Sequence, residues 1–154
     1  MTKQFYITTP IYYINDQPHI GHAYTTIAAD VIARYQRARG RDVAFLTGTD
    51  ENAQKTVDAA EKNKEAIETY TDRMAAVWKS AWRKLDISNT DFIRTTEKRH
   101  VKTVQEVWRR IFEAGDIYKG KYEGLYCTGH EAFLKENDLV DGVCPDHKTK
   151  PERV

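Results

Sequence analysis

The sequence predicts an α/β fold in which a parallel sheet is flanked by helices, and three observations predict it. An apolar run over residues 5–14 precedes a long amphipathic helix pattern, which is followed by a second apolar run over residues 43–46. Two strands joined by a crossover helix are expected to pair in parallel, because no hairpin turn brings them together. Two further helix patterns and the short run Phe92-Ile93 continue the alternation. At 154 residues the chain suits one ordinary domain, and 40% apolar residues supply a core for it.

Each element has a local cause. Residues 5–9 alternate aromatic, β-branched and apolar side chains, and residues 11–14 extend the run, so a buried strand leads into an extended segment. Asn15-Asp16-Gln17-Pro18 breaks it: Pro18 disfavours helix at Gln17 but fits a first helical turn itself. Ile20, Tyr24, Ile27, Ala28, Val31, Ile32 and Tyr35 then recur at three- and four-residue steps and predict one core-facing stripe. Arg37 and Arg39 suit that helix's negative end, and Gly40 its left-handed close. Gly48-Thr49-Asp50 ends the second strand, and a helix over about 51–63 follows. The next helix carries Ile67, Tyr70, Met74, Val77, Trp78, Ala81, Trp82 and Leu85 at helical spacing, a stripe that reads as core rather than as a cofactor box. Thr96 can cap a last helix with Val101, Val104, Val107, Trp108, Ile111 and Phe112 on its inner face and Gly115 as its stop.

Past Gly115 the texture changes. Residues 117–126 are rich in Tyr and Gly with no helical period, which predicts strands of an inserted β-rich module and divides the chain into 1–115 and 116–154. The pattern completes neither module nor sheet by Val154, so a piece of something larger is expected. With 24 Lys and Arg against 23 Asp and Glu, the formal charge of +1 provides no global field that would argue for nucleic acid or membrane. The N-terminus lacks an apolar signal core and no window approaches a membrane span, so a cytoplasmic protein without membrane contact is expected. In that compartment Cys127 and Cys144 read as metal ligands or buried thiols rather than as a disulfide.

The stretch with the most chemistry is Pro18-His19-Ile20-Gly21-His22, where the first strand gives way to the first helix. Ligands of parallel α/β sheets bind beyond the carboxyl ends of the strands, where helix N-termini direct free N–H groups outward. His19 and His22 fall on roughly one side of a first turn, and Gly21 removes a side chain that would block close approach of a ligand. Two imidazoles and backbone amides suit charge developing on a phosphoryl group. Taken bare, the same pattern also reads as a helix start with one satisfied buried histidine.

The pattern is not bare. The segment from Thr9 to Tyr24, Thr-Pro-Ile-Tyr-Tyr-Ile-Asn-Asp-Gln-Pro-His-Ile-Gly-His-Ala-Tyr, resembles the signature of the methionyl-tRNA synthetases, including the HIGH motif of class I aminoacyl-tRNA synthetases. Phe45-Leu46-Thr47-Gly48-Thr49-Asp50-Glu51 and Leu125-Tyr126-Cys127 resemble the same family in the same order. The resemblance implies a Rossmann-like nucleotidyl-transfer fold that activates methionine with Mg²⁺-ATP to methionyl-adenylate and transfers it to tRNA. His19, Gly21 and His22 match ATP-binding positions, His19 and His22 being catalytic through stabilisation of the transition state as methionine's carboxylate attacks the α-phosphate, with no covalent protein nucleophile. Pro10, Ile11 and Tyr13 match positions bordering the methionine pocket, where an apolar lining suits a thioether. Asp50 matches the carboxylate that receives the substrate ammonium; from its position alone it reads equally as an N-cap for a helix starting at Glu51. The family continues Asp-Glu-His-Gly, whereas this chain has Asn52 and Ala53, and Ala tolerates left-handed backbone less well than Gly.

A second constellation is Cys127-x-x-His130, thirteen residues, then Cys144-x-x-His147. Two such ligand pairs can close tetrahedrally around a structural Zn²⁺; two unrelated cysteines and surface histidines are the alternative. The resemblance places a zinc knuckle here, with His130 where the family commonly has cysteine. His100, among Lys98, Arg99 and Lys102, reads as solvated. A segment without the Lys-Met-Ser-Lys-Ser loop and the remaining pocket walls is expected to be inactive alone. Two other readings are another HIGH-superfamily synthetase or nucleotidyltransferase, and a non-catalytic zinc-containing binding module.

Overall fold

The computed structural model describes residues 3–154. Met1 and Thr2, part of the N-terminus read as lacking a signal core, lie outside the described residues. The chain divides into two compact units, residues 1–107 and 108–154.

The first unit is built on a three-stranded parallel sheet of order β1-β2-β3: β1 (Gln4–Tyr13), β2 (Asp42–Asp50) and β3 (Asp91–Arg94). The crossover from β1 to β2 is α1 (Ile20–Ala38), and α2 (Gln54–Lys62) with α3 (Ile67–Lys84) forms the crossover from β2 to β3. The predicted α/β class and parallel pairing are therefore borne out. A register shift between Thr8 and Ile11 kinks β1 halfway, and beyond it Tyr13 pairs with Asp50. β2 and β3 approach closely at Gly48, where an added Cβ would collide with the backbone carbonyl of Ile93. Gly40 closes α1 with φ of 74°, as the sequence predicts.

One core cluster joins Tyr12 and Ile14 of β1 and its continuation to Tyr70, Met74, Trp78 and Trp82 of α3. Trp78 stacks on Tyr12 with ring centroids 5.1 Å apart and meets Trp82 edge-on at 5.6 Å. A second cluster packs Ala29 and Ala33 of α1 against Val43 and Phe45 of β2.

α1 differs from its predicted packing. Its buried residues are Thr26, Ala29, Asp30 and Ala33, whereas Ile20 and Tyr24 are 88% and 77% exposed and Ile27, Val31, Ile32 and Tyr35 also face outward. Small side chains let the helix lie close on the sheet, and two polar groups on that face have partners. Thr26 shares a 2.9 Å hydrogen bond with the Tyr12 hydroxyl, and Asp30 accepts from Arg34 and from the Ser88 backbone and hydroxyl. Burial raises the Asp30 pKa, but these hydrogen bonds outweigh it and leave the carboxyl below its ordinary value. The stripe was apolar; periodicity alone could not say which face meets the sheet.

α4 (Lys98–Glu113) also contradicts its predicted inner face: none of its residues is buried, and Val101, Val104, Val107, Trp108, Ile111 and Phe112 are exposed. His100 is half-buried rather than solvated, its Nδ1 2.9 Å from the Thr95 carbonyl. The second unit holds β4 (Leu125–Cys127), β5 (Ala132–Leu134) and β6 (Glu152–Arg153) in an antiparallel sheet of order β5-β4-β6. Its strands begin at Leu125; residues 117–124 carry none. Tyr122 and Tyr126 pack edge-on against Phe133.

Candidate functional site

The turn from β1 into α1 carries the first candidate site. His19 is the N-cap of α1, in extended backbone (φ −117°, ψ 177°), and its Nδ1 accepts from the Gly21 N–H at 3.1 Å. His22, three residues on, accepts from the His19 N–H through its own Nδ1 at 3.2 Å. The two imidazoles thus complete a reciprocal cap of the kind Ser and Glu make elsewhere. The rings stack with centroids 3.7 Å apart. An added Cβ at Gly21 would lie 2.9 Å from the His19 ring, so this glycine makes room for the folded-back imidazole rather than leaving an open approach.

With both Nδ1 atoms accepting, a neutral ring carries its proton on Nε2, and the pair presents two Nε2–H donors. His22 also packs against Tyr12 and Trp78, with centroids at 4.9 and 4.8 Å. Burial first, and then the neighbouring His19, hold its pKa below the ordinary 6.5. Neutrality is what its acceptor role toward the His19 N–H needs.

These histidines line a cleft of about 450 Å³ with Ile11, Tyr12, Tyr13, Asn15, Asp16 and Gln17. Of the residues predicted for an amino-acid pocket, Ile11 and Tyr13 line this cleft; Pro10 and Asp50 do not. Pro10 is exposed on β1, its carbonyl accepting from the Thr9 hydroxyl. Asp50 ends β2 opposite Tyr13, and its Oδ1 accepts from the Asn52 N–H at 3.1 Å and the Thr95 hydroxyl at 3.4 Å. It is not the N-cap of α2, which begins at Gln54 after Ala53. Ala53 has φ of −115°, a region any residue adopts, so alanine fits this loop without strain.

Beside Asp50 lies a network that sequence reasoning missed. The Glu51 side chain is fully buried; its Oε1 receives Arg94 Nε at 2.7 Å and Thr49 Oγ1 at 2.9 Å, and its Oε2 receives Arg94 Nη2 at 3.0 Å and the Thr96 hydroxyl. Arg94 also reaches Asp72 on α3 at 2.7 Å. The Glu51 hydrogen bond raises the Arg94 pKa, burial opposes it, and Asp72 adds to the rise. The fork is bidentate and fixes the loop after β2 to the end of β3. Only the pairing of Thr49 with Arg94 across the sheet brings the two charges together, and nothing in the linear pattern announces that.

In the second unit Cys127, His130, Cys144 and His147 converge, one ligand atom from each lying within 4.8 Å of the others. His147 Nδ1 is 3.8 Å from Cys127 Sγ and 3.6 Å from Cys144 Sγ, and His130 Nδ1 is 4.0 Å from Cys144 Sγ. Ligand bonds of about 2.0–2.3 Å give a zinc tetrahedron edges of about 3.3–3.8 Å, so the donor set matches that metal in kind and nearly in size. Both cysteines are buried and unpaired in any disulfide. The His130 backbone N–H holds the Cys127 thiol below its ordinary pKa against the opposing effect of burial, with Cys144, Gly129 and Thr149 contributing. A Cβ at Gly129 would collide with the His147 ring, so that glycine admits the fourth ligand. No helix among the described residues is long and apolar enough to cross a membrane.

Comparison with known proteins supplies the family. The family model described as tRNA synthetases class I (M) matches residues 5–153. A methionine–tRNA ligase of Caldanaerobacter subterraneus is 51% identical over 154 residues, which are 100% of this chain and 24% of that protein. One from Streptomyces coelicolor is 48% identical, covering 99% of this chain and 30% of the relative. The solved Mycobacterium tuberculosis methionyl-tRNA synthetase in complex with methionyl-adenylate superposes with a TM-score of 0.91 at 40% identity, over 99% of this chain and 31% of that one. The chain thus spans about a quarter to a third of the length of the relatives it matches, and with that it belongs to the family of class I tRNA synthetases of the methionyl type.

Proposed function

We propose that this chain supplies the HIGH half of a methionine–tRNA ligase active site. The observation that carries the reading is the β1–α1 turn, where two stacked histidines present Nε2–H donors at a cleft also lined by Ile11 and Tyr13. In this reading His19 and His22 hold the phosphates of Mg²⁺-ATP, and Gly21 takes part by letting the His19 ring fold over the turn. The two imidazoles stabilise the charge that builds on the α-phosphate as methionine's carboxylate attacks and pyrophosphate leaves. Pro10, Ile11 and Tyr13 border the methionine side chain. The oxygen of Asp50 not tied to Asn52 and Thr95 receives the substrate ammonium. The adenylate then passes to the terminal ribose of tRNA, and the cytoplasm is the compartment this activity implies.

Residues 116–154 are read as the start of a connective insertion. Cys127, His130, Cys144 and His147 are its zinc ligands; a metal bound there supplies a cross-link among β4, the turn after it and the loop that holds Cys144 and His147. All four positions being protein ligands, none is left for a reactive water.

The test is amino-acid-dependent ATP–pyrophosphate exchange by an enzyme of the relatives' full length that carries this segment. Exchange driven by methionine alone among the aliphatic amino acids is expected. Exchange driven by leucine, isoleucine or valine, or none with any amino acid, would overturn the reading.

A further inference from the structure

The four-ligand cluster contains a fifth residue with no assigned role. Asp146 Oδ2 lies 3.0 Å from His130 Nε2, on the ring nitrogen opposite the one facing Cys144. A neutral imidazole carries one proton and one lone pair. A carboxylate at Nε2 draws the proton there, which turns the Nδ1 lone pair toward the Cys144 side of the cluster. The distances fit that tautomer: His130 Nδ1 is 4.0 Å from Cys144 Sγ, while Nε2 faces the carboxylate. His147 likewise turns Nδ1 to both sulfurs, at 3.8 and 3.6 Å, and its ring stands edge-on to that of His130, with centroids 4.5 Å apart.

We propose that Asp146 is a positioning residue of this metal site, fixing His130 as an Nδ1 ligand through a carboxylate–imidazole–metal relay. The inference rests on the zinc reading above. The need for such a device follows from exposure. Cys127 and Cys144 are buried and their sulfurs are held by the fold, but His130 and His147 are exposed, and His147 is confined by the glycine-lined seat at Gly129. The His130 ring meets the edge of His147 on one side and Asp146 at its Nε2. Asp146 itself is 71% exposed, so it contributes little to folding on its own. Its neighbours in sequence, Cys144 and His147, place it where their loop turns, close to the ring it is to orient.

The experiment measures zinc affinity of the 154-residue chain by competition with a chromophoric chelator, together with the visible spectrum of the Co²⁺ form. Asp146→Asn is expected to weaken zinc binding 10–100-fold while the Co²⁺ bands stay those of a four-coordinate site, because all four ligands remain. In the His130→Cys background, where there is no imidazole to orient, the same Asp146→Asn change is expected to shift affinity less than threefold. An affinity unchanged by Asp146→Asn in the original chain would overturn the inference and leave the zinc reading standing. An equal loss in both backgrounds would also overturn it, since Asp146 would then act otherwise than through His130. A chain that takes up no zinc at all would overturn both.

Discussion

At the scale of single residues, two groups behave against their usual character, and each gives a measurable consequence. His22 is held below pKa 6.5 by burial and by His19. Above that value the ring is neutral in folded and unfolded chains alike. As the pH falls below it, the unfolded chain takes up the proton more readily than the fold does, so acidification lowers stability. NMR titration of the His22 ring should give a midpoint below 6.5, and His22→Gln should flatten the stability loss between pH 7 and 5.5. A midpoint above 6.5 would reverse the sign. Arg94 is the second. Replacing it with Met strands the carboxylate of Glu51, whose side chain is 0% exposed, and a broken buried pair costs about 3–5 kcal/mol. Urea denaturation of the Arg94→Met chain should show a loss of that order; a loss below about 1 kcal/mol would mean that water already reaches Glu51.

At the scale of elements, strand and helix order was legible and helix facing was not. The kinked β1, its crossover to β2 and the aromatic stripe of α3 follow from period and punctuation: α3 buries the large residues that define its pattern, whereas β1, expected as a buried strand, buries Thr9 and Tyr12 and leaves Tyr6, Ile11 and Tyr13 exposed. α1 buries its small and hydrogen-bonded residues instead, and α4 buries none; an apolar stripe reports that a face avoids water, not which partner covers it. The histidine pair was legible as a motif but not as a cap, since the reciprocal Nδ1 contacts depend on the ring of His19 folding over Gly21. Asp50 was placed correctly at the end of its strand, yet its tie to Thr95 comes from sheet pairing alone. The same pairing gives the element-scale prediction. Gly48→Ala should cost about 1–3 kcal/mol, because the new methyl meets the Ile93 backbone, which no rotamer change can move aside. Thermal unfolding checks this, and an unchanged Tm would show that β3 can shift.

At the scale of the whole molecule, the two units rest on different kinds of stabilisation. Residues 1–107 hold both core clusters, whereas in residues 108–154 the buried residues are Cys127, Cys144 and Pro151. A body that small needs a staple. On the proposed zinc reading, chelation of the metal should therefore remove hydrogen-exchange protection from residues 125–153 while leaving β1, β2 and α3 protected; equal loss in both units, or none, would contradict this. The central claim concerns the other unit: that the turn holding His19 and His22 is half of a methionine-activating site. The most direct measurement is methionine-dependent ATP–pyrophosphate exchange in an enzyme of full family length, comparing the original segment with His19→Ala and His22→Ala. Each substitution should lower kcat by about 10²–10³, or about 2.7–4 kcal/mol of transition-state stabilisation, with a smaller change in KM for methionine, and the 154-residue chain alone should give little or no exchange. Near-normal exchange in either alanine variant would contradict the account.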